Sequence, residues 1–345
     1  MSAVARTRAR LVAGLDLGAG AVRVALVETD EDGRRRVVAV AHEPLEPRAV
    51  ERGVVRDPDV LERAVRAALA RAEELADRRA ELLVAAVSAD DLRVYRHVWR
   101  ATRSGEGPVS DGELRRAGDR ARADAARAAV IAIGDEPGLR RVALATLQAV
   151  SSRAALDGRP LIARGRQRGE VLEVELVVPV LPLAQSTGLE AALEPLGRRS
   201  RFVAAPLALA ALLAESGVED ATLVVVGSDL TSVAVLRDGA PAGARAFSVG
   251  ASRLAAGAVA DDAHVWASCA ALAAGDAGGT PVPARVLVAG AEPGLAMGAL
   301  AAAFTRLQPA VGARVEIFEP ALLVRIQWSV AAGRDALVAV AAGAS

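Results

Sequence analysis

The run Gly14-Leu15-Asp16-Leu17-Gly18-Ala19-Gly20-Ala21-Val22-Arg23-Val24-Ala25-Leu26-Val27-Glu28 most constrains the fold, because it reads as strand, glycine turn, strand. Val22, Val24 and Leu26 alternate with Arg23 and Ala25, which is the period of a strand and not of a helix. The glycines then belong to a hairpin turn, where Gly18 and Gly20 are expected at positive φ with backbone N–H groups turned toward an anion. Asp16, at the end of the first strand, is placed to hold a water of a bound Mg²⁺. A dinucleotide-binding loop is a poor match, since it needs a third glycine and a helix where Arg23 and a strand stand. An ordinary hairpin without a ligand fits the same residues.

The chain has 345 residues, enough for about two domains with cores of their own. Its 42 basic and 42 acidic residues cancel, so no net field draws it to nucleic acid or anionic lipid. Every basic residue other than histidine is Arg, so chemistry that needs a lysine is excluded. A lone Cys269 within an apolar run excludes an internal disulfide and a cysteine-based zinc site, and reads as a small buried hydrophobe. His42, His97 and His264 are too far apart to suggest paired metal ligands, and Trp99, Trp266 and Trp328 read as packing anchors. The longest uncharged runs, such as 202–214 and 263–275, fall short of the roughly 20 residues that cross a bilayer. A cytoplasmic protein is expected.

The pattern of elements is used twice. After the first hairpin come a strand at 37–40, a helix opened by Asp57-Pro58, and a strand at 82–88. Asp57 is a good N-cap, Pro58 suits the first helical position, and Val60, Leu61, Ala64, Val65, Ala68, Leu69, Ala72 and Leu75 form one apolar stripe. From about Val98 the character changes to a charged helix at 111–129, with a capping-box-like start at Ser110-Asp111-Gly112-Glu113, and a half-wet strand at 172–180. This reads as an insert. A second strand, glycine turn, strand unit follows at 221–239, and a late strand at 285–291 leads into Glu292-Pro293-Gly294 and a helix of small residues at 295–307.

Order and wording together resemble the bacterial actin homologues, most closely the FtsA family of cell division and, in the second half, the related PilM family of pilus assembly. Leu15-Asp16-Leu17-Gly18-Ala19-Gly20-Ala21-Val22-Arg23 resembles their first phosphate hairpin, and Arg52-Gly53-Val54-Val55-Arg56-Asp57 and Val87-Ser88-Ala89-Asp90-Asp91-Leu92-Arg93 continue the likeness. Leu156-Asp157-Gly158-Arg159-Pro160 and Arg168-Gly169-Glu170-Val171-Leu172-Glu173-Val174-Glu175 resemble the FtsA-specific insert. The resemblance implies an α/β chain of the actin-like, ribonuclease H-like fold: duplicated β-β-β-α-β-α units around a nucleotide cleft, with an FtsA-type inserted subdomain. It divides the chain into 10–97 with 190–216, the insert 98–189, and a second subdomain 217–345. The family's nucleotide contacts carry over to Asp16, Gly18, Ala19, Gly20, Arg23, Gly227, Ser228, Thr231, Gly290, Ala291 and Gly294, with ATP and Mg²⁺ as ligands and Asp16 toward the metal.

Departures from the family pattern are as informative. The second phosphate strand should end in an aspartate that holds Mg²⁺ from the other side, and Val225 stands there. Without that carboxylate, hydrolysis is expected to be slow or absent. Asp229, four residues on, is the candidate substitute. Ala291 replaces the second glycine of the nucleotide-covering turn, and Arg23 replaces the usual lysine. Only about 34 residues separate 251 from 285, which leaves room for a single helix around 254–274 in place of the family's polymer-contacting subdomain. The last residues lack a basic amphipathic helix, so a direct membrane anchor is not expected. The resemblance implies a scaffold with partners in division or pilus machinery, recruited to the inner face of the membrane by one of them, and self-association; nucleic acid is not expected. A PilM-like adaptor would accept a short peptide in a groove between the insert and the first subdomain. A polymerising ATPase is the further alternative.

Overall fold

A computed structural model describes residues 10–30, 34–105, 107–161, 167–255, 260–290, 297–307, 312–324 and 326–328. The first unit consists of β1 (Arg10–Leu17), β2 (Ala21–Thr29), β3 (Arg35–Pro44), a small hairpin of β4 (Val50–Glu51) and β5 (Val54–Val55), α1 (Pro58–Ala76) and β6 (Leu82–Val87). The insert follows with β7 (Arg93–Thr102), α2 (Asp111–Gly134), β8 (Leu144–Thr146), β9 (Val150–Leu156), β10 (Arg159–Pro160) and β11 (Val171–Pro182). The chain returns through α3 (Leu183–Leu193), β12 (Arg199–Ala204) and α4 (Ala205–Glu215). The second unit contains β13 (Ala221–Val226), β14 (Thr231–Arg237), β15 (Ala240–Phe247), α5 (Ala251–Ala255), α6 (Ala260–Gly278), β16 (Arg285–Gly290), α7 (Met297–Leu307) and β17 (Arg314–Ile317), and β18 (Ile326–Trp328) ends the described chain.

The two main sheets repeat one topology. The first is ordered β3-β2-β1-β6-β12 and the second β15-β14-β13-β16-β17. In each, the first three strands are antiparallel neighbours and the last two run parallel to the first. Strand β18 corrects the expected extent of the second subdomain, because it pairs in parallel with β3 and extends the first sheet. Ile326 and the preceding Phe318 and Leu323 are buried in the core beneath that sheet, which is what draws the chain back. The inserted sheet runs from Arg93 to Pro182, where the sequence suggested 98–189, since β7 pairs with β11 along its whole length. The expected single helix at 254–274 is described as α5 and α6, with 256–259 outside the described residues.

Helix α1 forms as its sequence dictates. The Asp57 carboxylate accepts from the Val60 N–H at 3.0 Å, Pro58 occupies the first turn, and Leu61, Ala64, Val65, Ala68, Leu69 and Ala72 are buried against β2 and β3. Helix α2 buries a narrower stripe, Ala117, Ala121, Ala125, Ala129 and Ile133, and these small side chains let it lie close on β11.

Helix α4 sits between the two main sheets. Leu207, Leu209, Leu212 and Leu213 are buried in one continuous core with Val12 and Val84 of the first sheet and Leu223, Val225, Ala234 and Leu287 of the second. Each such side chain contributes roughly 1.5–3 kcal/mol by leaving water. The floor of the cleft is therefore an apolar core shared by both lobes.

Candidate functional site

The two glycine turns meet across the cleft. Each closes by the same bond: Gly18 N–H donates to the Ala21 carbonyl at 3.2 Å, and Gly227 N–H donates to the Leu230 carbonyl at 2.9 Å. A methyl group on Gly20 would sit 3.2 Å from the Ser228 Oγ, so the turns touch. Asp16, Leu17, Gly18, Ala19 and Arg23 from the first hairpin and Val225, Gly227, Ser228, Asp229, Leu230 and Ser232 from the second line one cavity with Val50, Gly53 and Ser88.

Three expectations for the turn residues are corrected. Gly18 and Gly20 do not adopt positive φ, and the Gly18 amide is spent within its own turn. Thr231 points away from the cleft: its Oγ1 donates to the Val249 carbonyl at 2.6 Å and accepts from the buried Trp266 Nε1 at 2.9 Å. Gly290 lies at the end of β16 with φ of 108°, where a Cβ would fall 2.1 Å from the Val226 carbonyl. It serves close strand packing and does not line the cavity. Ala291 and Gly294 lie outside the described residues.

The charges of the site neutralise each other. Asp16 and Arg23 are direct cross-strand neighbours in the β1–β2 register, and Arg23 Nη1 donates to Asp16 Oδ2 at 3.1 Å. The same register in the second hairpin pairs Val225 with Ser232, so these are the internal counterparts of Asp16 and Arg23. Ser232 was missed by the sequence reading, and aligning the two hairpins strand by strand would have found it. Its hydroxyl is buried and has no hydrogen-bond partner among the described residues.

A polar strap crosses the cleft mouth. Asp229 Oδ2 accepts from the Arg52 N–H, at the tip of the β4–β5 hairpin. Arg52 and Gly53 both have positive φ, 53° and 79°, as a two-residue hairpin requires. The Asp90 N–H reaches the Arg52 carbonyl at 3.4 Å, and the Ser248 hydroxyl donates to Asp90 Oδ2. Behind the strap, the Ala251 and Ser252 amides donate to the Gly227 and Ser228 carbonyls at 2.8 and 2.9 Å. Asp229 is thus tied to the opposite lobe and does not replace a carboxylate at Val225.

The described residues do not fit a magnesium nucleotide. The cavity between the turns measures about 60 Å³. That is room for about two water molecules, against the roughly 300–1,000 Å³ of small-molecule sites. Among the described residues, Asp16 and the tethered Asp229 are the carboxylates that line it, and Asp16 is bonded to Arg23. Among the described residues no group of three or more His, Cys, Asp or Glu could hold a metal ion. Nor is any described helix long and apolar enough to cross a membrane.

No protein-family model and no curated protein matches the chain. Among solved structures, a chain of the PilM–PilN type IV pilus biogenesis complex is similar over 98% of both chains, with a TM-score of 0.58 and 17% identity. The ethanolamine utilization protein EutJ of Carboxydothermus hydrogenoformans covers 89% of this chain with 84% of its own, at a TM-score of 0.46 and 14% identity. The cytoplasmic domain of EpsL, an inner-membrane component of the Vibrio cholerae type II secretion system, covers 97% of this chain with 94% of its own, at 0.40 and 11%. The duplicated sheet order and the full-length likeness to the chain of the PilM–PilN complex show the actin-like fold; an FtsA-specific assignment does not follow from them.

Proposed function

We propose that the chain is a PilM-like adaptor of a pilus or secretion platform, an actin fold whose cleft has become a structural joint and no longer turns over ATP. The observation that carries this reading is the Asp16–Arg23 pair facing Val225 and Ser232 in a cavity of about 60 Å³. A hydrolytic site in this fold needs a metal held between the two hairpins and a positioned water. Here one hairpin has neutralised its acid with its own arginine, and the other carries a valine. The apolar core around α4 and the strap from Asp229 to Ser248 hold the lobes together without a ligand. The adaptor role draws support from the likeness to a chain of the PilM–PilN type IV pilus biogenesis complex along nearly the full length of both chains. A cell-division scaffold would share the inert cleft and differ in its partner; it rests on the sequence resemblance alone.

The test is steady-state phosphate release with ATP and Mg²⁺. Release at the no-protein background agrees with the proposal. Turnover that is abolished by Asp16→Ala would refute it.

A further inference from the structure

Strand β7 forms the outer edge of the inserted sheet, whose order is β10-β9-β11-β7. Its register with β11 is unbroken over ten residue pairs. The Arg103 N–H, just beyond the strand, donates to the Glu170 carbonyl at 2.7 Å, so odd-numbered positions direct their backbone groups toward β11. In a regular strand the intervening positions then aim theirs the other way. Val98, Arg100 and Thr102 therefore present N–H and C=O groups to an edge that no described strand covers. Near Arg96 the strand passes residues 242–245 of β15, which leaves the stretch from Val98 onward as the open part.

The arginines on that edge do not guard it. Arg96 and Arg100 are drawn back across β11, where Arg96 Nε bonds Glu175 at 3.1 Å and Arg100 Nε bonds Glu173 at 2.7 Å. On the opposite face, a groove of about 330 Å³ runs between the edge and α2, with Trp99, Ala101, Ala117 and Leu172 in its apolar wall. Arg103 and Glu113 also line it, but they satisfy each other: Arg103 donates to both Glu113 oxygens, at 2.7 and 3.1 Å, and its side chain is only 3% exposed. Arg116 and Arg120 line the groove one turn apart, and among the described residues neither has an ion pair. The groove is net positive.

From this we infer that the edge from Val98 to Thr102 docks an extended acidic peptide segment of a partner protein by strand addition. The peptide's backbone would continue the sheet beyond β7, and alternate side chains would enter the groove. There an apolar side chain meets Trp99 and a carboxylate meets Arg116 or Arg120, a pairing that the arginine fork suits. The inference deepens the adaptor reading and rests on it for the existence of a protein partner; the cleft between the glycine turns, lined by other residues, plays no part.

The probe is a fluorescein-labelled peptide of about nine residues alternating valine and glutamate, followed by fluorescence anisotropy against the full chain. It is expected to bind, to weaken with added salt, and to bind at least about tenfold more tightly than its valine–lysine counterpart. Arg120→Glu should weaken it by about tenfold. Val98→Pro removes an outward N–H that the sheet does not use, so the fold should survive while binding falls at least tenfold. If that variant does not fold, a probe methylated on alternate backbone nitrogens asks the same question of the unaltered chain, and should lose affinity to the same extent. No binding of the acidic probe, equal binding of the basic one, or binding indifferent to backbone methylation would overturn the inference. Each of these results leaves the phosphate-release test of the cleft untouched.

Discussion

Asp16 and Arg23 face each other across the first hairpin, and Arg23 Nη1 donates to Asp16 Oδ2 at 3.1 Å, their side chains 12% and 23% exposed. The acid that would approach a metal is thereby committed within its own turn. Replacing Arg23 with Met keeps the bulk and removes the arginine's hydrogen bond and charge from the buried Asp16 carboxylate. The expected loss is about 2 kcal/mol, read from urea denaturation midpoints at constant slope.

Val225→Asp would place a second carboxylate at the counterpart of Asp16 in the other hairpin. Val225 is buried, and the new charge would share a small cavity with Asp16. In metal-free buffer the variant should lose about 3 kcal/mol. Added Mg²⁺ should return part of that loss and leave the unaltered chain unmoved, as seen in paired thermal melts.

Gly53 is held at φ of 79°, and a Cβ there would lie 1.8 Å from the Ser88 carbonyl. Gly53→Ala must shift the hairpin that carries Arg52 to Asp229. A destabilisation of roughly 2–5 kcal/mol is expected. Hydrogen exchange should show faster opening at Arg52 and around Asp90, because the strap runs through both.

Much of this was legible in the residues, and the failures share a cause. The Asp57-Pro58 start of α1 and its apolar stripe are local signals, and they produce the helix that they announce. The two glycine hairpins could be read because each joins two neighbouring strands through a short local turn. Thr231 was misassigned because its hydroxyl could serve either face of a strand, and only packing against Trp266 decides which. The Arg52–Asp229 and Asp90–Ser248 bonds join residues more than 150 positions apart, and no pattern within either segment marks them. The return of β18 to the first sheet is equally nonlocal.

Glu73 ties the end of α1 to the starts of β6 and β12. Burial pushes its carboxyl up, but Arg198, whose Nη2 reaches it at 2.9 Å, and the Ala80 N–H at 2.8 Å together hold it below the usual carboxylate range. A lowered folded-state value stabilises the fold above the ordinary pKa of about 4.3, and that contribution is lost as pH falls through the folded value. Glu113, held down chiefly by its bonds to Arg103, adds to the same acid limb. Glu73→Gln should therefore cost stability at pH 7 and flatten, without abolishing, the decline below about pH 4.3, as followed by urea midpoints across pH.

The narrow, self-neutralised cleft is tested most directly by thermal melts of the intact chain titrated with ATP and ADP, with and without Mg²⁺. A ligand at 100 times its Kd would add about 2.7 kcal/mol and raise the melting temperature by a few degrees. The account predicts no shift with either nucleotide at millimolar concentration. A saturable shift that requires Mg²⁺ and disappears in Asp16→Asn would contradict it.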